Sequence, residues 1–183
     1  MEEIISSERC FEEHMPEASR EIREAIVALL PRLRRFAVTL TRNQADGDDL
    51  VQITVERAIA RIDRWQDGTR LDSWMYRIMK NAWIDEVRSR QRQNKVFAPD
   101  EAGATVGFED ETIDLRLRAM SVEKAMATLP DEQRLAVALV LVEGQSYREA
   151  ADIMGVPIGT LTSRLARGRD ALEAILNPAK GAP

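Results

Sequence analysis

From Arg20 onward, apolar side chains return every three or four positions. Ile22, Ile26, Leu29, Leu30, Leu33, Phe36 and Leu40 fall on one face of a helix. Pro31 lies inside this stretch without an amide hydrogen to donate, so it is expected to kink or divide the helix. Thr41-Arg42-Asn43-Gln44-Ala45-Asp46-Gly47 reads as a turn, and Asp48 and Asp49 then stand where a helix N-terminus favours negative charge. The next helix carries Val51, Val55, Ala58, Ile62 and Trp65 as its buried stripe. Gln66–Arg70 breaks it with loop chemistry, and a long helix is predicted from Leu71 or Asp72 to Arg92. Leu71, Met75, Ile78 and Ala82 point inward there, while Arg77, Lys80, Asn81, Arg88 and Arg92 share the opposite face, with Ile84 interrupting it.

Periodicity then lapses. Residues 96–114 hold Pro99, Gly103 and Gly107 among acids and small residues, which reads as a linker. It returns in helices expected near 116–128, 131–143, 147–154 and 158–176, and no strand pattern appears. The expected fold is all-α: two small helical domains joined by a flexible linker. The divisions are an acidic extension at 1–19, a first domain at 20–95, the linker, a second domain at 115–177 and a tail at 178–183. Domains this small are marginally stable alone.

Composition narrows the chemistry. Of 183 residues, 44% are hydrophobic and only 5% aromatic, which suits helices. A single cysteine, Cys10, forms no internal disulfide and no cysteine-based metal site, so no metal and no cofactor are expected. His14 is the sole histidine and stands near a polar terminus, so nothing suggests a catalytic pair. No apolar run approaches the ~18 residues of a membrane span, and the acidic N-terminus lacks a signal-peptide core, so a cytoplasmic protein is expected. The net charge of −5 argues at first against nucleic acid. Its distribution does not: Arg88, Arg90, Arg92 and Lys95 form a run without acids, and Arg164, Arg167 and Arg169 cluster near the end.

The stretch from Ser146 to Arg167 carries the sharpest signal. Ser146 can cap a helix while Glu149, three residues on, reaches back to complete a capping box. Gly155 permits a left-handed turn, and Pro157 sharpens the corner before a second helix. On that helix Leu161, Leu165, Gly168 and Leu172 face inward. Gly159, Thr160, Ser163 and Arg167 face out, with Arg164 and Arg169 flanking and Arg148 on the helix before. This is a helix-turn-helix whose small and hydroxyl residues let it sink into a major groove, where arginine reaches guanine or phosphate. A plain helical hairpin with a solvated basic face is the blander alternative. In the first domain, Trp74, Tyr76, Arg77, Lys80, Asn81, Trp83 and Arg88 combine rings and cations on one helix. That suits single-stranded DNA, with rings stacking on bases and cations holding the backbone. At least one of the two tryptophans is expected to be a core anchor instead.

These motifs, in this order, carry a resemblance. Leu30-Pro31-Arg32-Leu33-Arg34-Arg35-Phe36-Ala37, Asp49-Leu50-Val51-Gln52, Trp74-Met75-Tyr76-Arg77-Ile78 and Ile84-Asp85-Glu86-Val87-Arg88 resemble domain 2 of bacterial sigma-70-type factors. Leu129-Pro130-Asp131-Glu132-Gln133-Arg134 and the helix-turn-helix through Arg169 resemble domain 4. With a short linker between them, residues 20–176 resemble the extracytoplasmic-function (ECF) group. The resemblance implies that Asp48, Asp49, Leu50, Gln52, Ile53 and Glu56 dock on the clamp of the polymerase β′ subunit, with the β flap a further contact. It implies that Gln66, Asp67, Thr69, Arg70, Trp74, Arg77, Lys80, Asn81 and Arg88 hold the melted −10 element. It assigns the −35 element to Arg148, Gly159, Thr160, Ser163, Arg164 and Arg167, and catalysis to the polymerase rather than to this chain. Core polymerase, promoter DNA and an anti-sigma factor are the implied partners, with no small-molecule substrate and no membrane insertion. Ser89, Gln91 and Gln93 dilute the arginines that usually follow the aspartate in the family's melting helix. A sigma mimic that sequesters an anti-sigma factor is the runner-up; such mimics carry a receiver domain, which this chain is not expected to accommodate. An ordinary helix-turn-helix repressor would leave Asp48–Arg92 idle.

Overall fold

Helix α1 (Glu17–Thr41) starts three residues before the expected Arg20 and passes through Pro31 undivided. The proline leaves the carbonyl of Val27 without its helical amide, on a face that is open to solvent, since Val27 is 63% exposed. This computed structural model describes residues 17–65, 69–94 and 122–177. The acidic extension up to residue 16, the linker 96–114, the start of the helix expected at 116–128 and the tail lie outside the described residues.

Helix α2 (Gln44–Ile59) begins four residues before Asp48. Asn43 is the reason: in extended backbone, its side chain accepts the Asp46 amide at 3.1 Å and caps the helix. The expected turn shrinks accordingly, with Arg42 in left-handed backbone at φ 62°. Gly47 is not a turn glycine but a packing one, since a Cβ there would lie 2.8 Å from Val38 Cγ2 on α1. The buried stripe of α2 is Gly47, Leu50, Thr54 and Ala58, while Val51 and Val55 pack at its margin. Its end comes at Ile59, so the stripe does not run on to Ile62 and Trp65; a 3₁₀ turn follows at Ile62–Arg64.

Helix α3 (Leu71–Asn94) closes the first half. It buries Met75, Tyr76, Ile78, Met79, Ala82 and Trp83, and the Tyr76 ring meets Phe36 of α1 edge-on at 4.9 Å. Trp83 is thus a core anchor, while Trp74 is half-buried.

In the second half, a helix at 122–128 (α4) leads to α5 (Asp131–Val137), which continues as a π-helical turn through Ala138–Val142. Helices α6 (Tyr147–Met154) and α7 (Ile158–Leu176) form the helix-turn-helix within the expected bounds. Gly168 is where α7 crosses α5, and a Cβ there would come within 2.7 Å of Val137 Cγ2. The two halves lie against each other. Helix α1 packs on the π turn and on α5, and α3 packs on α6.

Candidate nucleic-acid interface

The helix-turn-helix is built as its local chemistry demands. Ser146 accepts the Glu149 amide at 3.3 Å, and the Glu149 carboxylate accepts the Ser146 amide at 2.9 Å, completing the capping box. Those contacts hold the Glu149 carboxyl below the usual glutamate range. Gly155 ends α6 at φ 69°, left-handed backbone that favours glycine. Leu161, Leu165 and Gly168 are buried beneath α7, with Leu172 packed partly against the core. On its outer side Gly159, Ser163 and Arg167 are exposed, as is Arg148 on α6, and Thr160 is half-buried. Space around Gly159 is open. Arg164 differs: it is tied to Glu132 at 2.5 Å and only 21% of its side chain is exposed.

Along α3, Arg77, Asn81 and Arg88 are exposed, whereas Trp74 and Lys80 are half-buried. Burial lowers the Lys80 pKa, and neighbouring Arg77 lowers it further. Gln66 and Asp67 lie outside the described residues; Thr69 and Arg70 precede the helix and are exposed. Arg70 grips Asp72 at 2.6 Å and reaches across to Glu149 of α6 at 2.5 Å. An open groove of ≈ 340 Å³ runs along the junction, with Lys80, Ile84, Val87 and Arg88 on one side and Glu132, Met154 and Arg164 among its lining on the other.

The acidic face of α2 presents Asp49, Gln52, Ile53 and Glu56 to solvent, with Gln52 donating to Glu56 at 3.0 Å. Asp48 is exposed but held by both oxygens in the fork of Arg34, at 2.7 and 2.8 Å. Leu50 is a correction. It is 4% exposed and faces the chain's own core, because the stripe of α2 is set one position away from the expected one.

The tightest polar cluster is one that sequence reasoning missed. Glu143 follows the π turn, and its carboxylate is fully buried between the halves. One oxygen accepts Arg35 Nε at 3.0 Å; the other accepts Arg32 Nε at 3.3 Å and the Tyr76 hydroxyl at 2.5 Å. Burial and the Glu143 hydrogen bond push the Tyr76 phenol far above its ordinary pKa. Beside it, Gln145 accepts from Ser73 Oγ at 3.1 Å and donates to Asp72 at 3.2 Å. Burial alone would raise the Asp72 pKa, but hydrogen bonds from Arg70, Gln145 and the Ser73 amide outweigh it and lower it. Further along, Arg134 stacks over Trp83 at 5.9 Å, and Arg42 reaches Asp131 at 3.2 Å. The one sequence clue was an acid ending an apolar run, Leu139-Val140-Leu141-Val142-Glu143.

A family model described as the Sigma2 domain of PhyR matches residues 26–80, and one described as Sigma-70, region 4 matches residues 119–172. Over 155 residues the chain is 37% identical to the ECF RNA polymerase sigma factor EcfG of Rhodopseudomonas palustris, spanning 85% of this chain and 84% of that one. The chain belongs to the ECF RNA polymerase sigma factors. This sigma factor is also 39% identical over 150 residues to SigE of Mycolicibacterium smegmatis, spanning 79% of this chain and 57% of that one. Among solved structures it resembles the sigma factor RpoE of Bartonella quintana, co-crystallised with the anti-sigma factor NepR. That likeness has a TM-score of 0.76 at 31% identity and spans 86% of this chain and 97% of that one. The sigma factor is therefore a transcription initiation protein of the all-α class rather than a member of an enzyme family. Among the described residues no helix is long and apolar enough to cross a membrane.

Proposed function

We propose that this sigma factor confers promoter specificity on core RNA polymerase through three surfaces. The exposed acids of α2, Asp49 and Glu56 with Gln52 and Ile53, dock on the polymerase clamp. Arg70, Arg77, Lys80, Asn81 and Arg88 hold the melted −10 strand. Arg148, Gly159, Thr160, Ser163 and Arg167 read the −35 duplex. The observation carrying this reading is the open outer face of α7, where Gly159, Ser163 and Arg167 stand clear of the protein on the helix that follows the capped α6 and its left-handed turn at Gly155. Residues 20–95 and 115–177 act as the two functional units, and the cytoplasm is where they work.

The closed packing is the resting form of the chain. Lys80 and Arg70 face the second half in it. Promoter engagement therefore requires the halves to part. An anti-sigma protein, as NepR is for RpoE of Bartonella quintana in its solved complex, holds the factor inactive until a stress signal releases it.

Transcription in vitro tests this: core polymerase freed of other sigma factors, the purified chain and fragmented genomic DNA of the host. Start sites sharing −10 and −35 elements support the reading. Core binding without transcripts would remove the promoter assignments. Absence of both would favour the sigma mimic, a reading the exposed Arg77, Arg88 and Arg167 argue against.

A further inference from the structure

We propose that Arg32, Arg35 and the Tyr76 hydroxyl form a phosphate-binding site for the promoter backbone, and that Glu143 occupies it as an internal stand-in when the halves are closed. The inference deepens the −10 assignment above and rests on it.

All the donors belong to the first half and the acceptor to the second. The carboxylate is fully buried, yet the Arg32 and Arg35 side chains keep 38% and 52% of their exposure, so the site lies at an edge rather than in a sealed core. Arg32 also donates through Nη2 to the Glu143 carbonyl at 3.1 Å. Two guanidinium forks and a hydroxyl aimed at one point suit a phosphodiester as well as a carboxylate. The nearest acid of the first half is Asp72, 3.6 Å from Arg32, and it is already held by Arg70, Gln145 and the Ser73 amide. Once Glu143 withdraws, two arginines lose their main counter-charge beside the helix assigned to the −10 strand.

A second contact repeats the arrangement. Arg70, itself assigned to the −10 strand, holds Glu149 of the second half. Closing the chain thus puts carboxylates on cations that an open chain would offer to DNA. A buried ion pair contributes little net stability because desolvation offsets attraction. Replacing one anion by another is therefore close to balanced, whereas leaving the arginines empty is not.

The test uses the full chain, a labelled single-stranded 12-nucleotide DNA of mixed sequence, and fluorescence anisotropy across a salt series. Small-angle scattering reports whether the halves have parted, and circular dichroism reports folding. E143Q should expand the chain and tighten DNA binding by at least about tenfold, as expected when a minor open state becomes dominant. Adding R32Q and R35Q should leave the chain expanded but abolish the gain. The slope of log affinity against log salt should then fall by about 0.7, the contribution of one phosphate contact on a single strand. If the triple variant does not fold, E143Q with R35Q alone should show about half that change. A slope unchanged by loss of the arginines would overturn the phosphate site, as would expansion without tighter binding or an E143Q chain that stays closed. Wild-type transcription with core polymerase, run alongside, separates the two layers. Transcripts with an unchanged slope sink only this site, whereas no transcripts and no core binding sink the reading beneath it.

Discussion

Replacing Tyr76 by Phe removes one oxygen and keeps the ring that packs edge-on against Phe36. What is lost is the 2.5 Å hydrogen bond to Glu143, a carboxylate with no exposure of its own. A hydrogen bond to a charged group contributes about 1.5–3 kcal/mol. Arg32 and Arg35 remain on the carboxylate, which keeps the loss toward the lower part of that range. Because the bond crosses between the halves, the loss falls on closure rather than on either half's own fold. At 1.4 kcal/mol per decade, the ratio of closed to open chain should drop roughly 10- to 100-fold. Urea titration can separate the two effects. Tryptophan fluorescence, with Trp83 beneath Arg134 at the junction, should change at lower urea in the variant, by about 1 M for a slope near 2 kcal/mol per M. Helix content at 222 nm should move far less. A fluorescence midpoint unchanged to within about 0.2 M, or both signals shifting together, would refute the argument that Glu143 holds the halves through Tyr76.

Further outcomes follow from the same structure. Gly168→Ala should destabilise the second half by about 1–3 kcal/mol, because its Cβ meets Val137 Cγ2 at 2.7 Å. Gly159→Ala, in open space, should leave the thermal midpoint unchanged, so scanning calorimetry on both separates packing from exposure. Arg167→Ala should cost about 1–3 kcal/mol of binding if it reads a base, with preference altered at a single −35 position in a selection experiment; uniform weakening would make it a phosphate contact. Asp49→Ala should weaken binding to core polymerase while leaving the full chain's affinity for −35 duplex intact, and equal loss of both would point to misfolding. Lowering the pH should loosen the closed form. The Asp72 carboxyl, which accepts Gln145 across the junction, sits below its ordinary 3.8, so its contribution is complete above that value and is lost as pH falls through the lower folded one. Scattering that shows no expansion before helix content collapses in acid would contradict this.

The helix-turn-helix was legible because each of its signals is local. Ser146 and Glu149 are three residues apart, and Gly155 fixes the turn by its own backbone freedom. The start of α2 was misread because two capping schemes competed: Asp48 and Asp49 supply charge, but Asn43 supplies the hydrogen bond that decides the boundary. Gly47 has the same appearance in sequence whether it turns the chain or lets α1 approach, and only Val38 across the contact tells which. The resemblance placed Leu50 on the docking face, yet a shift of one position turns a helical residue inward. Glu143 was out of reach altogether. Its partners Arg32 and Arg35 stand more than a hundred residues away, and no periodicity links them.

The π-helical turn at Ala138–Val142 sets the aim of that carboxylate, since the Glu143 amide bonds back five residues to the Ala138 carbonyl. A π turn is an α-helix with one residue too many. Wound as an ordinary α-helix, the same residues would swing whatever follows by about 100° around the axis, the rotation of one helical residue. The winding of this short segment, as much as the identity of any side chain, would then decide whether a chain of this kind folds shut on itself.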